Sequence, residues 1–180
     1  MLKIKKIVEL YNRVQRIPYY CLKKRDPDLL LKKNKGSCSE KHLFLGKEFK
    51  KLGVPVKYLL VRFDWNDLPM PKEIIDKRED GSEGWHLALK IKPKNKWIVV
   101  DATWDPKLGK AGFPMTKNWD GKSDTKLAFP PKEIIELEKA PPKQVKRYEN
   151  REFHEALNKW LESQRLQPAH RVLPQSGPLK

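Results

Sequence analysis

Residues 84–101, GWHLALKIKPKNKWIVVD, contain two strand-like runs separated by a short polar turn. The runs WHLALKI (85–91) and KWIVVD (96–101) are rich in the β-branched and aromatic residues typical of strands. If residues 92–95 form a four-residue loop, Ile91 pairs with Lys96, and the same antiparallel register pairs His86 with Asp101. We therefore predict a hairpin in which an imidazole and a carboxylate are cross-strand neighbours, with Cβ atoms ~5 Å apart.

The apolar residues of this hairpin indicate a central position in a sheet. Ala88, Trp97 and Val99 share the face of His86, whereas the opposite face is also apolar and consists of Leu87, Leu89, Ile98 and Val100. Because neither face is polar, we expect both to be covered. The predicted pairing depends on the loop length, since a slip of one residue would move His86 and Asp101 to opposite faces.

A cysteine opens the helical segment that precedes these strands. In GSCSEKH (36–42) a helical pattern begins at Cys38 and runs to Leu52, with Gly53 as its stop. Cys38, His42, Leu45, Phe49 and Leu52 share one face of the predicted helix. A thiol in a first helical turn has a lowered pKa, because free N–H groups and the helix dipole favour the thiolate, and a nearby imidazolium lowers that pKa further.

The order of Cys38, His86 and Asp101 on a helix, a strand and the next strand supplies a nucleophile, a general base and an orienting carboxylate. Gly36 allows a tight turn into the helix, and the Cys38 N–H points toward a developing oxyanion. His42 is expected to pack on the helix face near this site or to support it from behind.

The remaining patterns predict one α+β domain over residues 1–163. They are an amphipathic helix at 2–17, a strand at 54–65, a polar excursion at 66–84 with a helical turn at KEIIDK, a loop-rich region after Asp101, and a helix after Asn150 whose stripe is Phe153, Leu157, Trp160 and Leu161. Residues 164–180 are expected to be a disordered tail.

Four short motifs occur in order between residues 35 and 105: Gly-x-Cys at a helix start (36–38), Leu-Gly-Val-Pro (52–55), Trp-His at a strand start (85–86) and Val-Asp-x-Thr (100–103). In this combination the segment resembles the transglutaminase-like superfamily, a branch of the papain-like cysteine enzymes. The resemblance implies a papain-like, transglutaminase-like core, in which a nucleophile helix packs on an antiparallel sheet, and a catalytic triad of Cys38, His86 and Asp101.

The resemblance also implies thioester formation from a peptide or protein amide, followed by transfer of the acyl group to water or to an amine. The chain is small and lacks flanking sandwich domains and an evident calcium loop, so hydrolysis by an amidase or peptidase is favoured over cross-linking. Tyr19, in preference to Tyr20, is the candidate for a second oxyanion donor. Lys32 stands where papain-type enzymes keep a glutamine.

Several alternatives stay open. Trp85 and Trp104 flank triad residues and are candidates for lining an acyl pocket, or they are core residues. Asp105 rivals Asp101 as the carboxylate, although its place before Pro106 is typical of a turn. Cys21, Cys38, His42 and His86 could form a zinc site, but no paired-ligand motif supports one, so we expect no metal and no cofactor.

Composition limits the other functions. Of 180 residues, 39 are Lys or Arg and 23 are Asp or Glu, giving a net charge of +16, but the basic residues are spread along the chain and do not favour nucleic acid as the partner. No apolar run approaches the ~20 residues of a membrane span, and a signal peptide is not evident, so we expect a cytoplasmic protein with free thiols and no membrane partner. The sequence leaves the oligomeric state open. The alternative function is a catalytically silent basic module that binds an acidic protein or nucleic acid.

Overall fold

The computed structural model describes residues 2–23, 25–139 and 150–166. Six α-helices and four β-strands are present in this part of the chain, together with three short 3-10 turns. In chain order they are α1 (Leu2–Gln15), α2 (Leu30–Lys33), α3 (Cys38–Lys51), β1 (Val56–Asp64), α4 (Lys72–Ile75), β2 (Glu83–Ile91), β3 (Ile98–Val100), α5 (Pro106–Lys110), β4 (Glu133–Glu136) and α6 (Arg151–Leu166).

The four strands form one antiparallel sheet in the order β3-β2-β1-β4. β1 and β2 are its long central strands and pair over their full length, from Val56 opposite Ile91 to Asp64 opposite Glu83. β4 comes from the segment between two proline pairs and adds to the free edge of β1. The predicted α+β class is therefore confirmed. Of the hairpin predicted to be central, the strand that carries His86, β2, is a central strand, whereas β3 lies at the edge of the sheet.

The predicted register between β2 and β3 is wrong by two residues. Ile91 lies opposite Ile98 rather than Lys96, and Leu89 lies opposite Val100, so the connection spans residues 92–97. Asp101 consequently lies just beyond the end of β3 rather than directly opposite His86. A shift of two residues preserves the alternation of faces, and Asp101 still belongs to the His86 side of the sheet.

The opposite side of the sheet is covered by α1 and α3. Ile7, Tyr11 and Val14 of α1 and Leu45 and Phe49 of α3 are fully buried there. They pack against the β2 and β3 residues Leu89, Ile91, Ile98 and Val100. The sequence predicted both helices, since each carries its apolar residues at helical spacing.

A second core, rich in aromatic residues, joins the strand ends to α6. Its members include Phe63, Trp65, Trp104, Phe113 and Phe129 together with Phe153, Leu157 and Leu161 of α6. α6 begins directly after Asn150, as predicted, and runs to Leu166, so the first residues of the predicted tail are helical. Residues 167–180 lie outside the described part of the chain.

α5 was not predicted, although Pro106 occupies its first turn, where proline is favoured. Among the described helices, none is both long and apolar enough to cross a membrane.

Candidate active site

The start of α3 is fixed by a capping box. The Ser37 side chain accepts the Glu40 backbone N–H, and the Glu40 carboxylate accepts the Ser37 N–H at 3.0 Å. Gly36 is closely packed, since a Cβ there would lie 2.6 Å from Leu30 Cδ1 and the buried Leu30 side chain would have to shift. These contacts place Cys38 at the first helical position, where its N–H has no carbonyl partner within the helix.

The imidazole and carboxylate predicted to be neighbours are in contact. His86 Nε2 lies 2.7 Å from Asp101 Oδ2, and both side chains are buried. The carboxylate also accepts the backbone N–H groups of Ala128, at 2.8 Å, and Thr103, at 3.0 Å. Although burial raises the pKa of Asp101, the charge and hydrogen bond of His86, with smaller effects of His42 and the Thr103 side chain, lower it more, so that its pKa lies well below the usual range.

His86 directs its other nitrogen away from Asp101. Nδ1 has no conventional hydrogen-bond partner among the described residues, and Cys38 supplies the neighbouring thiol. Burial lowers the pKa of His86, but the Asp101 carboxylate and the Cys38 thiolate together raise it to about 10. For Cys38, burial raises the pKa, while the His86 imidazolium and the Leu87 backbone amide bring it down to about 7. These pKa values favour a Cys38 thiolate paired with a His86 imidazolium near neutral pH.

His42 lies behind this pair as a neutral ring. Its Nε2 accepts the Ala102 N–H at 2.9 Å and stands 3.5 Å from Asp101 Oδ1, and its ring meets that of His86 edge-on. Burial lowers the pKa of His42 to about 4, against the opposing effect of Asp101. His42 therefore positions the backbone beside Asp101 and does not compete for the proton of Cys38.

The described residues offer one group that could be considered for a metal: His42, His86 and Asp101, whose donor atoms lie within 4.8 Å of one another. The arrangement fits a hydrogen-bond cluster better. His86 Nε2 is bonded to Asp101, and His42 Nε2 accepts a backbone N–H, so neither of these nitrogens has a lone pair directed at an ion. The zinc set considered above, which includes Cys21, is not brought together in this group.

Lys41 is a buried residue that the sequence analysis missed. Its Nζ donates to the carbonyl oxygens of Thr103 at 2.7 Å, Ala102 at 3.0 Å and Gln15 at 3.5 Å. Burial lowers its pKa to about 7, even though Asp105 and Asp101 act to raise it. Position 41 is one helical turn from both Cys38 and Leu45, and this spacing was the available signal.

Asp105 and Tyr19 belong to a neighbouring polar cluster. Asp105 Oδ2 accepts from the Tyr19 N–H at 3.3 Å and from Arg165 of α6 at 2.9 Å. Asp105 therefore joins the Tyr19 segment to α6, and the carboxylate bonded to His86 is Asp101. The segment of Tyr19 also forms a parallel bridge with Gly36, which brings it next to the start of α3.

A cleft of about 450 Å³ gives access to Cys38, whose side chain is partly exposed. Tyr19, Cys21 and Trp85 line it, and the Tyr19 hydroxyl is 3.5 Å from the Cys21 sulfur. Trp104 is not among the described lining residues. It is buried behind Tyr19, with ring centroids 4.7 Å apart, and donates its indole N–H to Ala128 O. Tyr20 instead lies beneath the ammonium group of Lys35.

A scan of the sequence against protein-family models and searches of curated proteins and of solved structures found no match. The assignment of a function therefore depends on the geometry of Cys38, His86, Asp101 and the cleft.

Proposed function

We propose that this chain is a thiol enzyme of transglutaminase-like type with a papain-like core. It forms a thioester between Cys38 and the acyl group of an amide, then transfers that group to water or an amine, with hydrolysis favoured. One observation carries the proposal. The partly exposed Cys38 thiol at a helix start is close enough to His86 for each group to shift the pKa of the other, and Nε2 of this buried imidazole is 2.7 Å from the buried Asp101 carboxylate.

The proton affinities of these groups support the first step. With the pKa of Cys38 lowered to about 7 and that of His86 raised to about 10, the proton rests on the imidazole near neutral pH. The Cys38 thiolate adds to the amide carbonyl carbon. When the C–N bond breaks, His86 Nδ1–H delivers its proton to the departing amine.

Asp101 keeps the ring oriented throughout the cycle. Its bond to Nε2 leaves Nδ1 as the nitrogen that faces the sulfur, and its negative charge stabilises the imidazolium. In the second step, neutral His86 accepts a proton from the incoming water or amine. The tetrahedral intermediate then collapses, which releases the acyl product and restores the thiol proton to the Cys38–His86 pair.

Two donors are available for the oxyanion. The first is the Cys38 N–H in the first turn of α3, where the helix dipole also favours negative charge. The second candidate is the Tyr19 hydroxyl in the same cleft. Burial, with smaller effects of the Cys21 and Cys38 thiols, raises the pKa of Tyr19 well above its usual value, so the hydroxyl stays protonated and can donate.

Acyl transfer is tested with a panel of peptide amides, each offered with and without a primary amine, using wild type and Cys38→Ala. We expect release of amine and, with short reaction times, a covalent acyl adduct on Cys38 detected by intact-protein mass spectrometry. The alanine variant should show neither. Equal turnover by both proteins, or no adduct with any amide, would contradict the proposal.

Thiol reactivity provides a test that does not depend on the substrate. We expect iodoacetamide to label Cys38 with a rate that reaches half its maximum near pH 7, because the thiol pKa is about 7. In His86→Ala this midpoint should rise above the ordinary value of 9, since burial then acts without the opposing imidazolium. A wild-type midpoint like that of a free thiol would favour the alternative of a non-catalytic binding module.

A further inference from the structure

The described lining of the cleft contains three arginines, Arg25, Arg62 and Arg78. Arg62 is paired with Glu83 at 3.1 Å and with Glu133 at 3.2 Å. Arg78 is paired with Asp80 at 2.7 Å, and it also donates to the carbonyl oxygens of Gly81 and Glu83. Both of these guanidinium groups are thus already paired with carboxylates of the protein.

Arg25 differs from them. Within the described residues its guanidinium makes no hydrogen bond or ion pair, although the residue is only partly exposed and faces the cleft. It lies close enough to Cys38 and Cys21 for its positive charge to lower the pKa of both thiols.

The acidic groups of the cleft do not neutralise Arg25. Asp80 is bonded to Arg78 and to the Asn150 side chain, and Glu83 is bonded to Arg62 and Lys132. A guanidinium that is partly removed from water retains five donors and a full charge, which a planar carboxylate matches through two parallel hydrogen bonds. The net charge of +16 also favours the approach of anions.

We propose that Arg25 is the carboxylate-binding residue of this cleft, and that the acyl-transfer substrate is an amide with a carboxylate close to the scissile bond. This proposal rests on the proposed function for the reaction, but the anion site itself does not. The carboxylate has two possible sources, the C-terminal carboxylate of a short peptide and the side chain of Asp or Glu.

The anion site is tested first with two alkylating reagents that carry the same leaving group. Iodoacetate and iodoacetamide both react with the Cys38 thiolate to form a thioether and release iodide, but only iodoacetate carries a carboxylate. We expect the ratio of the iodoacetate rate to the iodoacetamide rate to fall by about tenfold or more in Arg25→Gln, since at least one charge-assisted hydrogen bond to the carboxylate is lost.

Two further variants separate a binding role from a general charge effect. Arg25→Lys keeps the charge, so its ratio of iodoacetate to iodoacetamide rates should lie between the ratios of wild type and Arg25→Gln. Arg13→Gln removes the same charge from an exposed position on α1 that does not line the cleft, and it should leave the ratio at the wild-type value. An unchanged ratio in Arg25→Gln, or an equal fall in Arg13→Gln, would overturn the carboxylate site.

Matched amides then identify the source of the carboxylate. One pair compares a peptide with a free C-terminus with its C-terminal amide, and the other compares Glu with Gln beside the scissile bond. We expect wild type to have a lower KM for one anionic member, and Arg25→Gln to lose that difference. Equal KM values within both pairs would overturn the substrate assignment.

The two proposals can fail separately. If no amide is turned over but the reagent ratio still depends on Arg25, the acyl-transfer function fails and the anion site stands. If amides are turned over without any preference that depends on Arg25, the function stands and the carboxylate assignment fails.

Discussion

At the scale of single residues, three hydrogen bonds converge on the Asp101 carboxylate, from His86, Thr103 and Ala128. We predict that Asp101→Asn reduces kcat at least a hundredfold, because the imidazolium loses its stabilising charge. Burial then lowers the pKa of His86 with less opposition, and the pKa of Cys38 rises. The pH profile of iodoacetamide labelling measures that rise.

Asp105→Asn is the matched control for this variant. It removes an equally buried carboxylate from the same loop without touching His86. The labelling midpoint should therefore stay near pH 7 in this variant. A shift as large as that of Asp101→Asn would show that any buried charge nearby has the same effect, and would contradict the role given to Asp101.

Lys41 leads to a prediction about stability. Burial lowers its pKa to about 7 in the folded protein, from an ordinary value of 10.5. Between these two pH values the unfolded chain binds the proton and the folded protein does not, so the free energy of unfolding rises with pH across this window. The shift corresponds to a rise of up to about 5 kcal/mol. In Lys41→Met this rise in the free energy of unfolding with pH should be absent.

Denaturant unfolding between pH 7 and 10.5 measures this contribution. Lys50→Met is the control, because Lys50 lies on the exposed side of the same helix. In the control, the free energy of unfolding should rise with pH as steeply as it does in wild type. Identical slopes in Lys41→Met and wild type would mean that Lys41 keeps its proton in the folded protein.

The residues of the site differed in how far the sequence could predict them. Cys38 begins α3, His86 lies within β2 and Asp101 follows β3, and apolar periodicity predicted each of these elements. Lys41 could not be identified in the same way, because its partners are backbone carbonyl groups 26, 61 and 62 residues away. The sequence specifies the side chains, but it does not show which backbone carbonyl groups the fold will leave without a hydrogen-bond donor.

At the scale of elements, the first turn of α3 depends on Glu40. This carboxylate is fully buried and accepts the Ser37 N–H at 3.0 Å and the Asp26 N–H at 3.3 Å. We predict that Glu40→Ala lowers the free energy of unfolding by about 2 kcal/mol, because buried donors lose their acceptor. It should also slow the labelling of Cys38, since the helix start frays.

Glu48→Ala tests whether any glutamate of α3 has this effect. Glu48 forms an i,i+3 pair with Lys51, and its loss should cost about 0.5 kcal/mol or less. Thermal unfolding and the iodoacetamide rate at pH 7 serve as the measurements. If Cys38 reactivity in Glu40→Ala equals that in Glu48→Ala, the capping box does not position Cys38.

The β2–β3 connection shows why the register was predicted incorrectly. Trp97 is an aromatic residue with high strand propensity, and the pattern therefore extended the strand back to residue 96. In the structure Trp97 precedes β3 and lies near the ammonium group of Lys57. Because registers that differ by two residues place the same side chains on each face, the apolar pattern cannot distinguish them.

At the scale of the whole molecule, α6 packs against residues 19–21, which lie next to the start of α3. Arg165 donates to Asp105 and to Tyr19 O, and Asn158 bonds both the N–H and the carbonyl group of Cys21. The sequence predicted where α6 begins and which stripe it buries. It could not predict this docking, because contacts 137 and 146 residues apart leave no local pattern.

We predict that Arg165→Ala lowers the free energy of unfolding by about 3 kcal/mol, because it leaves the buried Asp105 carboxylate without its cation. Chemical denaturation measures the loss. The double variant Arg165→Met with Asp105→Asn should recover part of it, since no unpaired charge remains.

Arg151→Ala is the control within the same helix. Its pair with Glu155 is exposed, and removing it should change the free energy of unfolding by about 0.5 kcal/mol or less. Similar losses in Arg151→Ala and Arg165→Ala would mean that the contact with Asp105 does not fasten α6.

The position of Asp101 beyond the end of β3 has a consequence for how the protein acquires reactivity. Its peptide groups and side chain are held by contacts from Tyr11, His42, Thr125 and Ala128, so three distant parts of the chain, around residues 11, 42 and 125–128, must already be assembled. An incompletely folded chain leaving the ribosome would carry Cys38 only as an ordinary thiol. The lowered pKa of Cys38 thus reports completion of folding, and a pulse of iodoacetamide during refolding would detect the final step.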